Sequence, residues 1–339
     1  MRNDVKRVFY VRYVSHPDYL DIVGKRPDVQ LDKLENDSPD AVAEPIIAGA
    51  HAYQIGSARD EIAPKYHVTR ELLARMPNLL VVSTNGAGYT VDVKACTAAG
   101  VLVVNQTGGN REAVAQHVLG MMLCLAKRMV ETDRALRRGT LGDRNLFMGR
   151  ELQERTIGIV GLGNVGRRIA ELARVFGMQV LAYDPYLSAD TVAARAAVKV
   201  ELDELLRRSD FVSANCPLTD ETRGMFGARE FALMQPRAYF ITSCRGFIHD
   251  EAALLAALKD KRIAGAGLDV WDKEPPGADH PLLQLDNVIA TPHTAGLTLP
   301  AIEHQSLETV AQAAAIAKGR APKGAVNAKH WTRKALLRK

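Results

Sequence analysis

"TIGIVGLGNVGRRIAELARVFGMQVLAYDP", residues 156–185, joins three features in one run. An apolar β-type stretch leads into Gly161-x-Gly163-x-x-Gly166. A helix-period segment follows, with Ile169, Leu172, Ala173 and Phe176 on one face and Gly177 as its stop. A second apolar stretch then ends in Asp184, eighteen residues after Gly166. The glycine triplet alone is a weak signal. Strand before, helix after and an acid at the next strand end supply the context that a dinucleotide fold requires. Gly161 permits the tight turn, Gly163 lets the backbone approach a pyrophosphate, and Gly166 lets the helix pack on the strand. The helix N-terminus offers unpaired N–H groups and partial positive charge to phosphates. Asp184 can accept hydrogen bonds from both ribose hydroxyls, where a 2′-phosphate would meet like charge. No arginine follows directly, so NAD is expected over NADP. Asp184 also reads as a turn residue before Pro185.

The same alternation extends in both directions. Upstream, 8–14, 44–53, 79–84 and 101–105 read as buried parallel strands separated by helical stretches. The span from Asn110 to Arg138 is the longest helix candidate. Val114, Val118, Met121, Met122, Leu125 and Met129 recur at spacings of three and four, which makes a core stripe, and Gly139 stops it. Downstream, strands are expected at 156–161, 178–184, 198–200, 210–215, 238–243, 263–270 and 287–291. Together they predict a doubly wound α/β domain. From Leu299 to Lys318 the pattern returns to a helix.

With 339 residues and 47% hydrophobic content, the chain predicts two domains with ordinary cores. No apolar run approaches the roughly 20 residues of a membrane span, and no secretory leader is legible at the start. A cytoplasmic location is expected, with no membrane partner. Cys96, Cys124, Cys216 and Cys244 lie far apart without C-x-x-C spacing, and the nine histidines form no H-x-x-x-H pair. No metal site or disulfide framework is expected. Net charge is +5, yet residues 318–339 alone carry eight Lys/Arg and no acid. The basic character therefore belongs to the end of the sequence, read as a solvated tail. A nucleic-acid partner would call for a basic stripe with interleaved aromatics, and none is present.

Open α/β sheets bind ligands beyond the carboxyl ends of their strands. In "AYFITSCRGF" (238–247) a buried-type strand ends at Arg245. In "GLDVWDKEPP" (267–276) Asp269 ends a strand and Glu274 lies in the loop beyond. In "NVIATPHTAG" (287–296) His293 follows a third. A desolvated guanidinium needs an anion. Arg245 can bind a substrate carboxylate bidentately, His293 can donate a proton to a forming alkoxide, and Glu274 can fix the tautomer of His293. The three suit reduction of a 2-oxo acid to a 2-hydroxy acid. Taken singly, each has a structural reading: an ion pair for Arg245, a solvated loop acid for Glu274, a helix cap for His293. His249 is a rival base, although it opens a helix.

These motifs, "GLGNVG…YDP", "CPLTDETRGMF", "SCRGFIHDEAALLAAL", "AGAGLDVWDKEPP" and "TPHTAG", resemble the D-isomer-specific 2-hydroxyacid dehydrogenase family in order and spacing, over residues ~40–327. The resemblance implies two flavodoxin/Rossmann-like doubly wound α/β domains, the nucleotide-binding one inserted into the substrate-binding one. It places a substrate-binding domain at 1–110 and 297–327, an NAD-binding domain at 111–296 and a basic tail at 328–339. It implies catalytic Arg245, Glu274 and His293, with the backbone N–H groups of Ala87 and Gly88 on the substrate carboxylate. The implied cofactor contacts are Gly161, Gly163, Asn164, Val165, Gly166, Asp184, Pro185, Cys216, Pro217, Thr222, Ser243, Cys244, Asp269, His293 and Gly296. A homodimer through the nucleotide domain is implied, without an added C-terminal regulatory domain.

Several positions depart from the family pattern. "GAGYTVD" (86–92) is one residue shorter than the usual substrate loop and lacks its first Asp. Gln116 in "VAQH" stands where Glu is usual, Thr242 replaces a common Asn, and Leu141 stands near a frequent Trp. The leading expectation is an NAD-dependent reductase of glyoxylate, hydroxypyruvate or a similar acid. D-3-phosphoglycerate dehydrogenase is an alternative, with Arg59 as a basic group for the phosphate. Formate dehydrogenase relatives would carry Gln at 274, and phosphite dehydrogenase relatives Lys at 87. An NAD(H)-sensing scaffold is the alternative from a different class.

Overall fold

The computed structural model describes residues 5–12, 17–56, 62–84, 91–106 and 108–338. The chain divides into two compact units, Met1–Asn110 with Thr298–Lys339, and Arg111–Leu297.

The first unit begins with β1 (Lys6–Val11), α1 (Pro17–Gly24), β2 (Val29–Leu34), α2 (Asp40–Gly49) and β3 (Ala52–Ile55). It continues through α3 (Arg70–Ala74), β4 (Val81–Thr84), α4 (Val93–Ala98) and β5 (Leu102–Val104). The five strands are all parallel, in the order β2-β1-β3-β4-β5, which is the flavodoxin-like arrangement. The strand expected at 44–53 is corrected: residues up to Gly49 belong to α2, and only Ala52 onward is extended. Ala43 and Ile47, four apart, are its buried residues. A short apolar run cannot by itself separate a helix from a strand. The sheet instead gains β2, an edge strand with a single buried residue, Leu34.

The second unit opens with α5 (Arg111–Ala126) and α6 (Met129–Arg137). The single helix expected over 110–138 is thus broken, with a 60° bend. Arg128 sits in the left-handed region at φ 52°, and the Ala126 carbonyl accepts from Arg150 N (2.7 Å), so a passing chain ends the helix. Val114, Val118, Met121, Met122 and Leu125 are buried, whereas Met129 lies past the break and is exposed. α5 crosses the sheet where Gly267 leaves room: a Cβ there would lie 2.9 Å from Met121 Sδ.

Next come β6 (Thr156–Val160), α7 (Asn164–Val175), β7 (Gln179–Tyr183), α8 (Ala189–Ala194), β8 (Val198–Lys199), α9 (Leu202–Arg208) and β9 (Phe211–Ala214). The unit is completed by α10 (Ala228–Leu233), β10 (Tyr239–Thr242), α11 (Glu251–Lys259), β11 (Gly265–Leu268) and β12 (Val288–Ala290). The seven parallel strands run in the order β12-β11-β10-β9-β6-β7-β8. Strand order reverses at β6, between β9 and β7, which makes the topological switch point of a doubly wound sheet. One apolar cluster, around Phe226, Phe231, Phe240 and Leu254, lies against α10 and α11. Another, around Met122, Ile159, Ile169 and Ala173, lies against α5 and α7.

α12 (Leu299–Ala317) returns to the first unit. The solvated tail expected at 318–339, with its basic end at 328–339, is also corrected. Trp331 is 3% exposed, and its Nε1 donates to the Leu80 carbonyl. Asn327 donates to Val101 O and accepts from Val103 N, and Arg333 donates to the carbonyls of Met76 and Ala99. One aromatic anchor and the hydrogen bonds to backbone groups around β4 and β5 outweigh the basic composition of this segment.

Candidate active site

The glycine turn joins β6 to α7. Gly161 has φ 89°, and a Cβ there would lie 2.9 Å from the Cys216 nitrogen, so only glycine fits. At Gly166 a Cβ would lie 2.1 Å from the Gly161 carbonyl oxygen. Gly163 faces open space and caps α7 without a side-chain hydrogen bond. The first N–H groups of α7, from Asn164, Val165 and Gly166, therefore have no side-chain cap and lie where a phosphate can be received. This cradle fits a dinucleotide. Asp184, just past β7, accepts from Leu162 N (3.0 Å) with one oxygen and from Tyr186 N (3.1 Å) with the other. It braces the glycine turn and the turn after Pro185, and each oxygen retains a lone pair for a ribose hydroxyl.

Cys216 and Pro217 follow β9, and Ser243, Cys244 and Arg245 follow β10. Ala214 pairs with Thr242 in the ladder, so Cys216 and Cys244 each lie two residues past it. The neighbouring Cys216 thiol draws the Cys244 thiol below its ordinary pKa against the effect of burial, and Thr242 Oγ1 lies 3.2 Å from the Cys244 sulfur. The contact between the two thiols, with burial, pushes Cys216 up. Thr222 holds the loop after Pro217, its hydroxyl donating to the Pro217 carbonyl (2.6 Å) and accepting from Thr219 N (2.8 Å).

Arg245 is half-buried, and its Nη1 donates to the Cys244 carbonyl (2.6 Å). Among the described residues no carboxylate forms an ion pair with it. Gly246 must be glycine, because a Cβ there would lie 2.1 Å from the Trp271 carbonyl oxygen. That close approach packs the Arg245 turn against the loop that carries Glu274.

Glu274 and His293 meet directly. Nδ1 of His293 lies 2.7 Å from Glu274 Oε2, and Glu274 Oε1 accepts from Trp271 N (3.1 Å). The hydrogen bond to Glu274 raises the His293 pKa, against burial and the charge of Arg245 and with help from Asp269. Burial alone would raise Glu274, but the hydrogen bond and charge of His293 outweigh it and hold the carboxyl below its usual range. His293 itself has φ 57°, a conformation a non-glycine side chain adopts at a cost. Its N–H is held by the Asp269 carbonyl (2.7 Å).

Asp269, past β11, is fully buried. Its carboxylate accepts from the Thr291 hydroxyl (2.6 Å), Thr294 N (2.8 Å) and Ala295 N (3.0 Å), which fixes the loop from Thr291 to Gly296. Sequence reasoning missed the other end of this array, where His117 Nε2 on α5 lies 3.0 Å from Thr291 Oγ1. Its only signal was a histidine within an otherwise apolar core stripe. His249 is 1% exposed and packs on Phe240, and its ring nitrogens have no partner among the described residues. Ala87, Gly88 and Arg59 lie outside the described residues.

The second unit thus presents a phosphate-receiving turn, a half-buried arginine with no carboxylate partner among the described residues and a histidine–glutamate pair, each just beyond a parallel strand. The family model for the NAD-binding domain of D-isomer specific 2-hydroxyacid dehydrogenases matches residues 119–295. The chain belongs to this family. As a D-isomer-specific 2-hydroxyacid dehydrogenase family member, it carries its NAD-binding domain in the second unit, and NAD is its cofactor. It is 36% identical to the D-3-phosphoglycerate dehydrogenase of Archaeoglobus fulgidus, over 84% of this chain and 58% of that relative. It is 32% identical to the glyoxylate reductase of Aeropyrum pernix, over 95% of this chain and 96% of the relative. The crystal structure of the D-lactate dehydrogenase from Aquifex aeolicus, complexed with NAD and lactic acid, superposes with a TM-score of 0.79 at 29% identity. That comparison covers 92% of this chain and 96% of the other. The chain spans about half the length of several phosphoglycerate dehydrogenases it matches.

Proposed function

We propose that this family member is an NAD-dependent D-2-hydroxyacid dehydrogenase that reduces a small 2-oxo acid, of the size of glyoxylate or hydroxypyruvate. The observation that carries this reading is the 2.7 Å contact between His293 Nδ1 and Glu274 Oε2, beside an arginine with no carboxylate partner among the described residues. Bound NADH would supply a hydride to the carbonyl carbon. Glu274 accepts the Nδ1 hydrogen, so the exchangeable proton of His293 is on Nε2. Arg245 binds the substrate carboxylate and polarises the adjacent carbonyl. As the carbonyl oxygen becomes an alkoxide, the His293 imidazolium releases its Nε2 proton to it and becomes neutral, with Nδ1–H still directed at Glu274. In the reverse direction Nε2 takes the hydroxyl proton. Asp184 binds the adenosine ribose and disfavours a 2′-phosphate.

D-3-phosphoglycerate dehydrogenase is the second reading, favoured by the identity to the Archaeoglobus fulgidus relative. Homodimerisation is supported by α6, which has no buried residue, and by the neighbouring exposed Leu136, Leu146 and Met148. Four free thiols suit a reducing, cytoplasmic setting. Among the described residues no single helix is long and apolar enough to cross a membrane.

The test follows NADH absorbance with glyoxylate, hydroxypyruvate, pyruvate, phenylpyruvate and 3-phosphohydroxypyruvate. One preferred acid supports the dehydrogenase and names its substrate, and preference for the phosphorylated acid selects the second reading. Tight NADH binding without turnover of any acid overturns both in favour of a sensing scaffold.

A further inference from the structure

We propose that His117, on α5, is a positioning residue of the reaction: through Thr291 it fixes Asp269 and the loop that carries His293. The inference rests on the dehydrogenase reading above.

Hydrogen counting carries the argument. The Asp269 side chain accepts from two backbone N–H groups, Thr294 and Ala295, which can only donate. An ionised carboxylate accepts and never donates, so the 2.6 Å contact with Thr291 Oγ1 uses the one hydroxyl proton of Thr291. Thr291 Oγ1 is then left with lone pairs toward His117. The 3.0 Å contact with His117 Nε2 therefore requires that Nε2 carry a hydrogen. The chain of donors is ordered in one direction, from His117 to Thr291 to Asp269. His117 Nε2 also lies 3.8 Å from Asp269 Oδ1, so its N–H dipole acts on the same buried carboxylate.

Asp269 is where this order reaches the chemistry. Its backbone carbonyl holds His293 N, its side chain holds the next two N–H groups, and its charge favours the protonated imidazole. Without a donor at position 117, the partly buried Thr291 hydroxyl loses the partner that orders it and is freer to turn away from Asp269. The left-handed turn at His293 then loses one of the contacts that hold it. α5 is the longest helix packed against this sheet and is rigid through its buried stripe, so it is a firm anchor for the loop.

The test compares His117→Gln, which keeps a side-chain N–H, with His117→Phe and His117→Leu, which do not, and with Thr291→Val. The expected result is a fall in kcat of about 10-fold to 10²-fold for the Phe and Leu variants, the scale of a misplaced reacting group. KM and NADH affinity stay near the parent's, and the Gln variant recovers most of kcat. The double variant His117→Leu/Thr291→Val should be no slower than Thr291→Val alone. Equal losses in Gln and Leu variants, or multiplicative losses in the double variant, would overturn the relay. Should H117L not fold, H117F carries the comparison. Nitrogen-15 NMR of the imidazole, read without substrate, should show hydrogen on Nε2 of His117, and a bare Nε2 overturns the proposal independently of whether any 2-oxo acid is turned over.

Discussion

Nδ1 of His293 lies 2.7 Å from Glu274 Oε2, and the two groups shift each other's pKa in opposite directions: His293 rises and Glu274 falls. In the proposed mechanism reduction draws on protonated His293, so kcat/KM for the 2-oxo acid should hold above the ordinary histidine range and decline only as pH passes the raised value. Oxidation of the hydroxy acid should rise over the same interval. Glu274→Gln keeps an acceptor for Nδ1–H but removes the charge. Its reductive limb should move toward lower pH, with the rate at pH 8 down about 10-fold for each unit of the move. Stability follows the same linkage. The His293 contribution is fully present below its unfolded pKa and is lost as pH rises through the folded one. The Glu274 contribution is present above the ordinary carboxylate range and is lost as pH falls through its lowered value. A pH-rate profile of the variant superposable on the parent's would remove Glu274 from this role.

Asp184 separates two functions that an alanine substitution would confuse. Its carboxylate braces Leu162 N and Tyr186 N, so Asp184→Ala removes both acceptors and loosens the glycine turn. Asp184→Asn retains one acceptor oxygen and near-identical shape while deleting the charge. The Asn variant should gain on NADPH relative to NADH by about 10-fold, since one charge–charge contact near 4 Å in water is worth about 1 kcal/mol and more when partly buried. The measurement is the ratio of kcat/KM for the two cofactors. An unchanged ratio in the Asn variant would show that this carboxylate does not read the ribose.

The parts of the site legible in the sequence are those where chemistry and topology coincide. Arg245, Glu274 and His293 each follow a strand whose apolar run is unmistakable, and the run from Thr156 to Pro185 carries strand, turn, helix and acid in one uninterrupted pattern. Legibility fails where the determinant lies elsewhere in the chain. β2 is half-exposed on a sheet edge, so VQLDKL has no apolar run to announce it. The break between α5 and α6 depends on Arg150 N reaching Ala126 O, a contact across 24 positions of sequence that no local period reveals. His117 reads as a blemish in a Met-rich stripe until Thr291, 174 positions away, is brought beside it.

The C-terminal segment supplies a prediction of the same non-local kind. Its composition reads as a solvated basic tail, yet Trp331 is buried with Val81, Leu102, Val104 and Ile316, and its indole N–H is satisfied by Leu80 O. Trp331→Ala should cost about 3–5 kcal/mol, the usual range for a large aromatic removed from a core. Chain truncation after Gly324 should cost more, because Val101 O, Ala99 O and Val103 N would also lose the partners that Asn327 and Arg333 supply. Urea unfolding of the full chain and the two variants checks both. A midpoint unmoved by Trp331→Ala would return the segment to solvent.

His249 gives the molecule a built-in sensitivity to acid that is independent of His293. Burial draws its pKa from 6.5 down to about 4, against the opposing charges of Glu251 and Asp250, and no hydrogen-bond partner among the described residues relieves either ring nitrogen. The folded state therefore holds it neutral, packed on Phe240. In the unfolded chain it takes up a proton as pH falls below 6.5. Between these two values the unfolded state binds more protons, so stability rises with pH and is lost as pH falls, by about 3 kcal/mol across the whole window. The contribution is fully retained above the unfolded value and gone below about 4. His249→Phe, which keeps an aromatic ring against Phe240 but cannot titrate, should flatten the urea midpoint between pH 6.5 and 4.5 while leaving stability at pH 7.5 within about 1.5 kcal/mol, as for other volume-conserving core changes. If parent and variant lose stability in parallel over that interval, the proton uptake belongs to carboxylates elsewhere, and His249 must be solvated or paired in solution.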